Sequence, residues 1–288
     1  MSVARFTLLP QPDAVTPVVA APAADPVVAP VEVVSIARMA RGGRWRTEAM
    51  RSYDRPVLVW FTRGQGRLTV AGRSGGYGPN NMIFLPPKTM HGFSTGGQVL
   101  GSVVFLPYGL DWPGEVLHLR FRDVRPQREL TAMIDAMERE FGQGGALAHR
   151  ALAHHAGLLA VWLKRTADAW RESGDAPAPP PSGAHRLAEA FAALIERDFR
   201  QPEGVQHYAA LLGVTPTHLT RVCRKVSGRA ALDILTDRRH FEARRLLKDT
   251  AMPVAEIARV SGFRSAAYFA RAFRARSGQS PSAFRRAR

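Results

Sequence analysis

Cysteine is nearly absent: Cys223 is the single one among 288 residues, so no internal disulfide can form and a reducing cytoplasm is the expected setting. Long apolar runs are missing too. No stretch of about 18 uncharged apolar residues occurs, which argues against a membrane-spanning helix. The opening segment, with VTPVVAAPAADPVVAP inside it, carries prolines where a secretory core needs an unbroken helix, and only Arg5 as a positive start. Residues 1–30 therefore read as a disordered arm. Acidic residues are scarce: 24 Asp and Glu face 40 Lys and Arg, for a net charge of +16. With 45% hydrophobic residues the chain still has ample material for a buried core.

The basic surplus is uneven. From Ser182 to Arg288 there are 20 Lys and Arg against 9 Asp and Glu, whereas the first 181 residues hold 20 against 15. A basic tail of this kind suits nucleic acid, an anionic surface, or a solvated helical face. The stretch RESGDAPAPPPSGA (171–184) divides the chain, because three consecutive prolines cannot continue a helix and their neighbours offer little to pack.

Ahead of that linker, residues 31–125 read as β structure. VLVWF (57–61), RLTV (67–70), NMIFL (81–85), VLGSVVFL (99–106) and EVLHLRF (115–121) are short strand-like runs, punctuated by RGQG (63–66) and SGGYG (74–78). Such spacing predicts a sandwich or barrel. Over 126–170 the period becomes helical, with Leu130, Ile134 and Met137 on one face, then Leu147, Ala151, Leu158 and Trp162 along another. These helices are expected either to cap the β core or to form a dimer seam. Beyond the linker, 185–288 reads as all helix.

That basic half contains a repeat. Gly213 and Gly262 lie 49 residues apart; beyond them the offset is 50, pairing Thr215 with Ser265, Leu219 with Phe269, Arg221 with Arg271, and Arg224 with Arg274. Each copy has a short helix, a glycine where the chain turns, a hydroxyl cap, and a second helix. Duplication of this unit predicts two helix-turn-helix modules, although an αα-hairpin repeat would share the outline. Apolar residues fall on one side of each second helix. Thr217, His218, Thr220 and Arg221 in the first copy, and Ala267 and Arg271 in the second, are the candidate base readers. Arginine can donate two hydrogen bonds to guanine in the major groove. Thr215, Arg224, Lys225, Ser265, Arg274 and Arg276 are the candidate phosphate contacts. The alternative for any one arginine is ordinary solvation. Since the second copy offers chiefly alanines around Arg271, most base discrimination is expected from the first. ALDILTDRRHFEARRLLKDT (231–250) reads as one helix holding the two units apart.

These residues resemble the AraC/XylS family of bacterial transcription regulators. The likeness covers roughly 185–287 and rests on LGVTPTHLTRVCRKVSG, RRHFEARRLL and VAEIARVSGFRSAAYFARAFRARSGQSPSAFRR, closing on Gly278, Pro281, Phe284 and Arg285. It implies binding of double-stranded promoter DNA, usually as an activator that contacts RNA polymerase, and it carries over to Arg221 and Arg271. The alanines at 266, 267 and 270 depart from the more polar pattern common there. The front half resembles a cupin-type effector domain through LVWFTRGQGRLTV and GYGPNNMIFLPPKTMHGF.

The implied whole is an α+β multidomain chain: a cupin-like β-barrel with helices behind it, then two helix-turn-helix units joined by a long helix. A homodimer answering a small-molecule effector is expected. Trp60, Phe84, His91 and Phe93 are the candidate ligand contacts. No cofactor, metal or catalytic residue is expected, because His91 lacks the His-x-His and Glu partners of a metal-binding cupin. His149, His154 and His155 lack metal-pair spacing as well. Two other classes stay open: an architectural protein that binds DNA without sequence choice, and a cupin enzyme with a DNA-binding tail.

Overall fold

The computed structural model describes residues 31–41, 43, 45–95, 98–172 and 182–287. The expected arm (1–30) and most of the expected linker lie outside the described residues.

Two antiparallel sheets form the front half. The larger has the order β1 (Glu32–Ser35), β7 (Leu100–Phe105), β2 (Val57–Arg63), β5 (Asn81–Leu85) and β8 (Leu117–Arg120). The smaller runs β4 (Arg73–Tyr77), β3 (Gly66–Val70) and β6 (His91–Phe93). Side chains alternate across a strand. In β2, Val57, Val59 and Phe61 therefore join a core shared with Leu68, Tyr77 and Phe93 of the small sheet. Leu58 and Trp60 point the other way, onto two helices. Cover on both faces explains why VLVWF is a continuous apolar run rather than an alternating one.

Those helices are α3 (Val124–Gln143) and α4 (Ala146–Glu172). Leu130, Ile134 and Met137 are buried as their spacing predicts. In α4 the buried stripe is instead Ala148, Leu152, Ala156, Leu159, Leu163 and Ala167. Leu147 and Leu158 stand outside at 79% and 63% exposure, so the expected grouping with Trp162 is corrected. Trp162 packs inward, and its indole N–H donates to Glu129. Small alanines alternate with leucines along the buried stripe, where α4 packs against α3.

SGGYG, which reads as punctuation, is largely strand β4. Pairing with β3 supplies the order that glycine's weak strand preference does not. Two short helices that carry little periodicity, α1 (Ile36–Arg41) and α2 (Trp45–Glu48), follow β1. Among the described residues, no helix is long and apolar enough to cross a membrane.

The second half is helical: α5 (Gly183–Asp198), α6 (Val205–Leu211), α7 (Pro216–Ser227), α8 (Ala231–Asp249), α9 (Val254–Val260), α10 (Ala266–Ser277) and α11 (Pro281–Arg286). Helix α8 serves two cores. Ala231, Ile234 and Leu235 pack with α5, α6 and α7; Ala243, Leu246 and Leu247 pack with Ile257, Phe269, Phe273 and Phe284. The halves meet over a mixed seam. Met50 and Met90 enter the first helical core, Trp45 enters the second, and Arg73 pairs with Glu189 at 3.4 Å.

Candidate nucleic-acid interface

Each helix-turn-helix unit is built by the same local chemistry. Gly213 and Gly262 take φ of +66° and +80°, the left-handed region where an ordinary side chain is strained. Thr215 then caps α7 by accepting from the His218 N–H at 3.2 Å, with Pro216 at the first helical position. Ser265 caps α10 by accepting from the Tyr268 N–H at 3.2 Å. Both second helices end on a left-handed glycine, Gly228 and Gly278.

Capping and packing together aim the outer faces. Leu219, Val222 and Cys223 anchor α7, and Phe269 and Phe273 anchor α10. Burial pushes the Cys223 thiol up to about 11, which keeps it protonated and inert. Thr217, Arg221, Arg224 and Lys225 are exposed on α7, with His218 and Thr220 half-buried beside them. Arg221 Nη2 donates to His218 Nδ1 at 3.0 Å, so the imidazole already steers this guanidinium. On α10, Ala267, Arg271 and Arg274 are exposed. Tyr268 is exposed as well, at 53%. It stands where His218 stands in the first copy, a correspondence that the 50-residue offset implies.

Arg276 is placed differently from its neighbours. It donates to the buried Asp237 of α8, which also pairs with Arg229 at 2.6 Å. Its charge joins α10 to the central helix instead of standing free for phosphate. The other candidate phosphate contacts keep outward positions.

The four candidate ligand contacts do not surround a common space. Trp60 and Phe84 face the α3–α4 side, with Trp60 Nε1 donating to Thr131 Oγ1 at 3.2 Å and Phe84 stacked on Trp112. Phe93 lies on the opposite side, edge-on to Phe61. His91 is buried, its Nδ1 2.9 Å from the Thr89 carbonyl. Burial, reinforced by the Arg51 charge, holds that imidazole well below its ordinary pKa and therefore neutral. A cleft of about 520 Å³ opens elsewhere, at the seam, between Tyr53, Arg55 and Phe105 of the front half and Phe241, Arg245 and Asp249 of α8.

Comparison with known proteins agrees with this geometry. Residues 208–287 match the family model described as a helix-turn-helix domain. The chain is 30% identical over 211 residues to an HTH-type transcriptional regulator, GlxA, from Rhizobium meliloti, a match covering 68% of this chain and 64% of that protein. It is 28% identical over 253 residues to the arabinose operon regulatory protein of Escherichia coli, covering 83% and 82%. Among solved structures, the C-terminal domain of AraT from Geobacillus stearothermophilus is similar at 31% identity and a TM-score of 0.35, over 38% of this chain and 89% of that one. Residues 208–287 are thus an AraC-type helix-turn-helix domain, and over most of its length the chain is similar to bacterial transcription regulators.

Proposed function

We propose that this chain is a sequence-specific, effector-responsive regulator of transcription that binds duplex promoter DNA as a dimer. The observation that carries this reading is the pair of capped helices, α7 and α10, held on one central helix with their polar faces outward. Direct reading falls mainly to Thr217, His218, Thr220 and Arg221, with Arg271, Ala267 and Tyr268 in the second copy. Thr215, Ser265, Arg224, Lys225 and Arg274 hold the backbone. The role is that of an activator contacting RNA polymerase, in the cytoplasm. Selection of bound duplexes from a random pool tests it: one enriched motif is expected, and equal recovery of all sequences would mark an architectural protein. In the same assay Arg221→Ala is expected to cost about 1–3 kcal/mol on the preferred site and to relax choice at one base pair. Uniform weakening on every duplex would demote Arg221 to a phosphate contact.

The front half is the cupin-like sensor, and the seam cleft is its effector site in place of the Trp60, Phe84, His91 and Phe93 set. A ligand there touches the β domain and α8 together. It can therefore favour one arrangement of the halves, which is what a ligand needs in order to change DNA binding. Dimerisation uses the outer face of α4, where Leu147, Leu158 and Val161 are exposed. Sedimentation of Leu158→Glu is expected to give a monomer with unchanged helix content, whereas a retained dimer would move the seam elsewhere.

A further inference from the structure

The first recognition helix ends against the front half of the molecule, and the junction is neither apolar nor closed. On the outer face of the small sheet, Thr69 Oγ1 and Ser74 Oγ lie 2.6 Å apart, and Ser74 Oγ donates to the Ser227 carbonyl in the last turn of α7 at 3.0 Å. Arg67 emerges on that face. Its cross-strand neighbour is Gly76, so no side chain fills the space beside it. The result is a cleft of about 670 Å³ with Arg67, Gly75 and Gly76 on one wall and Arg224, Lys225 and Gly228 on the other. The walls are close: a Cβ placed on Gly228 would sit 3.4 Å from Arg67 Nη1.

The electrostatics of this cleft are one-sided. No lining residue is acidic, and among the described residues none of Arg67, Arg224 and Lys225 forms an ion pair. The partial negative charge at the end of α7 accounts for cations in its own last turn. It does not account for a third brought in by a strand of the other half. The Arg67 backbone is fixed there, its N–H donating to Ser94 Oγ at 3.0 Å. Strand β4 is also a sheet edge, and its outward amides have no strand partner. At Gly76, which shares this face with Arg67, a Cβ would meet nothing nearer than the Gly66 carbonyl oxygen at 3.9 Å, so a bulky anion can approach the backbone.

We propose that this cleft receives a backbone phosphate of the duplex read by α7, so that the front half is itself part of the DNA interface. Three cations and an open glycine edge suit one phosphodiester, which accepts several charge-assisted hydrogen bonds at once. The cleft adjoins the helix already assigned to the major groove, and a phosphate lying past that helix's end would complete it. The assignment rests on the DNA-binding reading above. It makes the position of the β domain a direct determinant of affinity, because any movement of Arg67 away from Arg224 dismantles the site.

The test is fluorescence anisotropy of the full chain with a 40-base-pair duplex over a range of salt, for wild type, Arg67→Ala, Arg67→Lys and Arg224→Ala. Arg67→Ala should bind about threefold to tenfold more weakly at low salt and flatten the plot of log affinity against log salt by about 0.9, one phosphate's worth. Arg67→Lys should keep the slope. Arg67 is exposed, so an unchanged unfolding midpoint is expected to accompany the loss. Wild-type affinity and slope in Arg67→Ala, with Arg224→Ala still weakened, would overturn the proposal and leave the DNA-binding reading standing. Tighter binding by Arg67→Ala would overturn it too, by showing that the hairpin obstructs the duplex. A thermal shift of the free protein by inorganic phosphate, lost in Arg67→Ala while duplex binding is unaffected, would make the cleft a small-anion site instead. Failure of the wild type to bind any duplex would defeat the DNA-binding reading itself.

Discussion

Gly262→Ala is expected to destabilise the helical half by about 3–5 kcal/mol, while the same change at Gly213 costs about 1–2 kcal/mol. Both glycines occupy the turn of a helix-turn-helix unit and both have positive φ. Their surroundings differ. At Gly213 a Cβ would meet nothing within 4 Å, so strain of the backbone is the whole penalty. At Gly262 it would lie 2.1 Å from the Phe199 carbonyl oxygen and 2.8 Å from Arg239 Nε. Arg239 Nε donates to that same carbonyl at 2.8 Å, and Nη2 donates to the carbonyls of Gln201 at 2.5 Å and Glu203 at 2.7 Å. The turn of the second unit is thus pressed onto the loop that Arg239 clamps between α5 and α6. An added methyl must displace the loop or break the clamp. Urea unfolding of the two variants decides the matter, and equal losses would refute the distinction.

Arg238→Met should lower stability by about 3–5 kcal/mol, since it removes the one cation that two buried carboxylates share. Arg238 Nε lies 3.0 Å from both oxygens of Glu196, its Nη1 lies 3.4 Å from Glu242 Oε2, and its guanidinium stacks 3.9 Å from the Phe199 ring centre. All three charged side chains are 5–6% exposed. Ser52, from the front half, donates to Glu196, so the network also ties the halves together. Without Arg238, Glu196 keeps that hydroxyl and no charge partner. Glu196→Gln in the Arg238→Met background should restore part of the loss, and a single-variant loss below about 1 kcal/mol would contradict this account.

The same network sets an acid limit. Burial alone would raise the Glu242 pKa, yet the hydrogen bond from Arg245 and the charges of Arg238, Arg245 and Arg200 hold it at about 2, against an ordinary 4.5. A depressed carboxylate contributes stability that is complete above the unfolded pKa and is lost as pH falls through the folded one. The Glu242 contribution to stability should therefore be lost between about pH 4.5 and 2, and at higher pH in Arg238→Met, whereas Glu196, whose pKa burial raises, works in the opposite sense.

Much of this organisation is legible in the chain itself, and the residues show why. Period-3.6 apolar spacing places Phe191, Ile195, Ile234, Leu235 and Phe241 inward, and Thr215 and Ser265 announce helix starts because a cap acts within one turn. Whatever depends on distant partners is hidden. Nothing local distinguishes Gly262 from Gly213, since Phe199 lies far away in sequence. Nothing local removes Arg276 from the DNA set, because Asp237 claims it from another helix. The aromatic quartet failed to converge for a related reason: strand alternation fixes which side chains share a face, but not which face is the sheet's interior. The seam cleft draws on β1, β7 and α8 at once, and no window of sequence contains it.

Trp45 carries a consequence for how such regulators exchange parts. It belongs to the front half, yet its ring lies 5.7 Å from Phe241 and 5.9 Å from Phe284, completing the core of the second helix-turn-helix unit. A hybrid that joined these helix-turn-helix units to an unrelated front half would uncover both phenylalanines. The two halves are therefore not freely interchangeable modules: a transplant that succeeds must bring a tryptophan, or its equivalent volume, along with the graft.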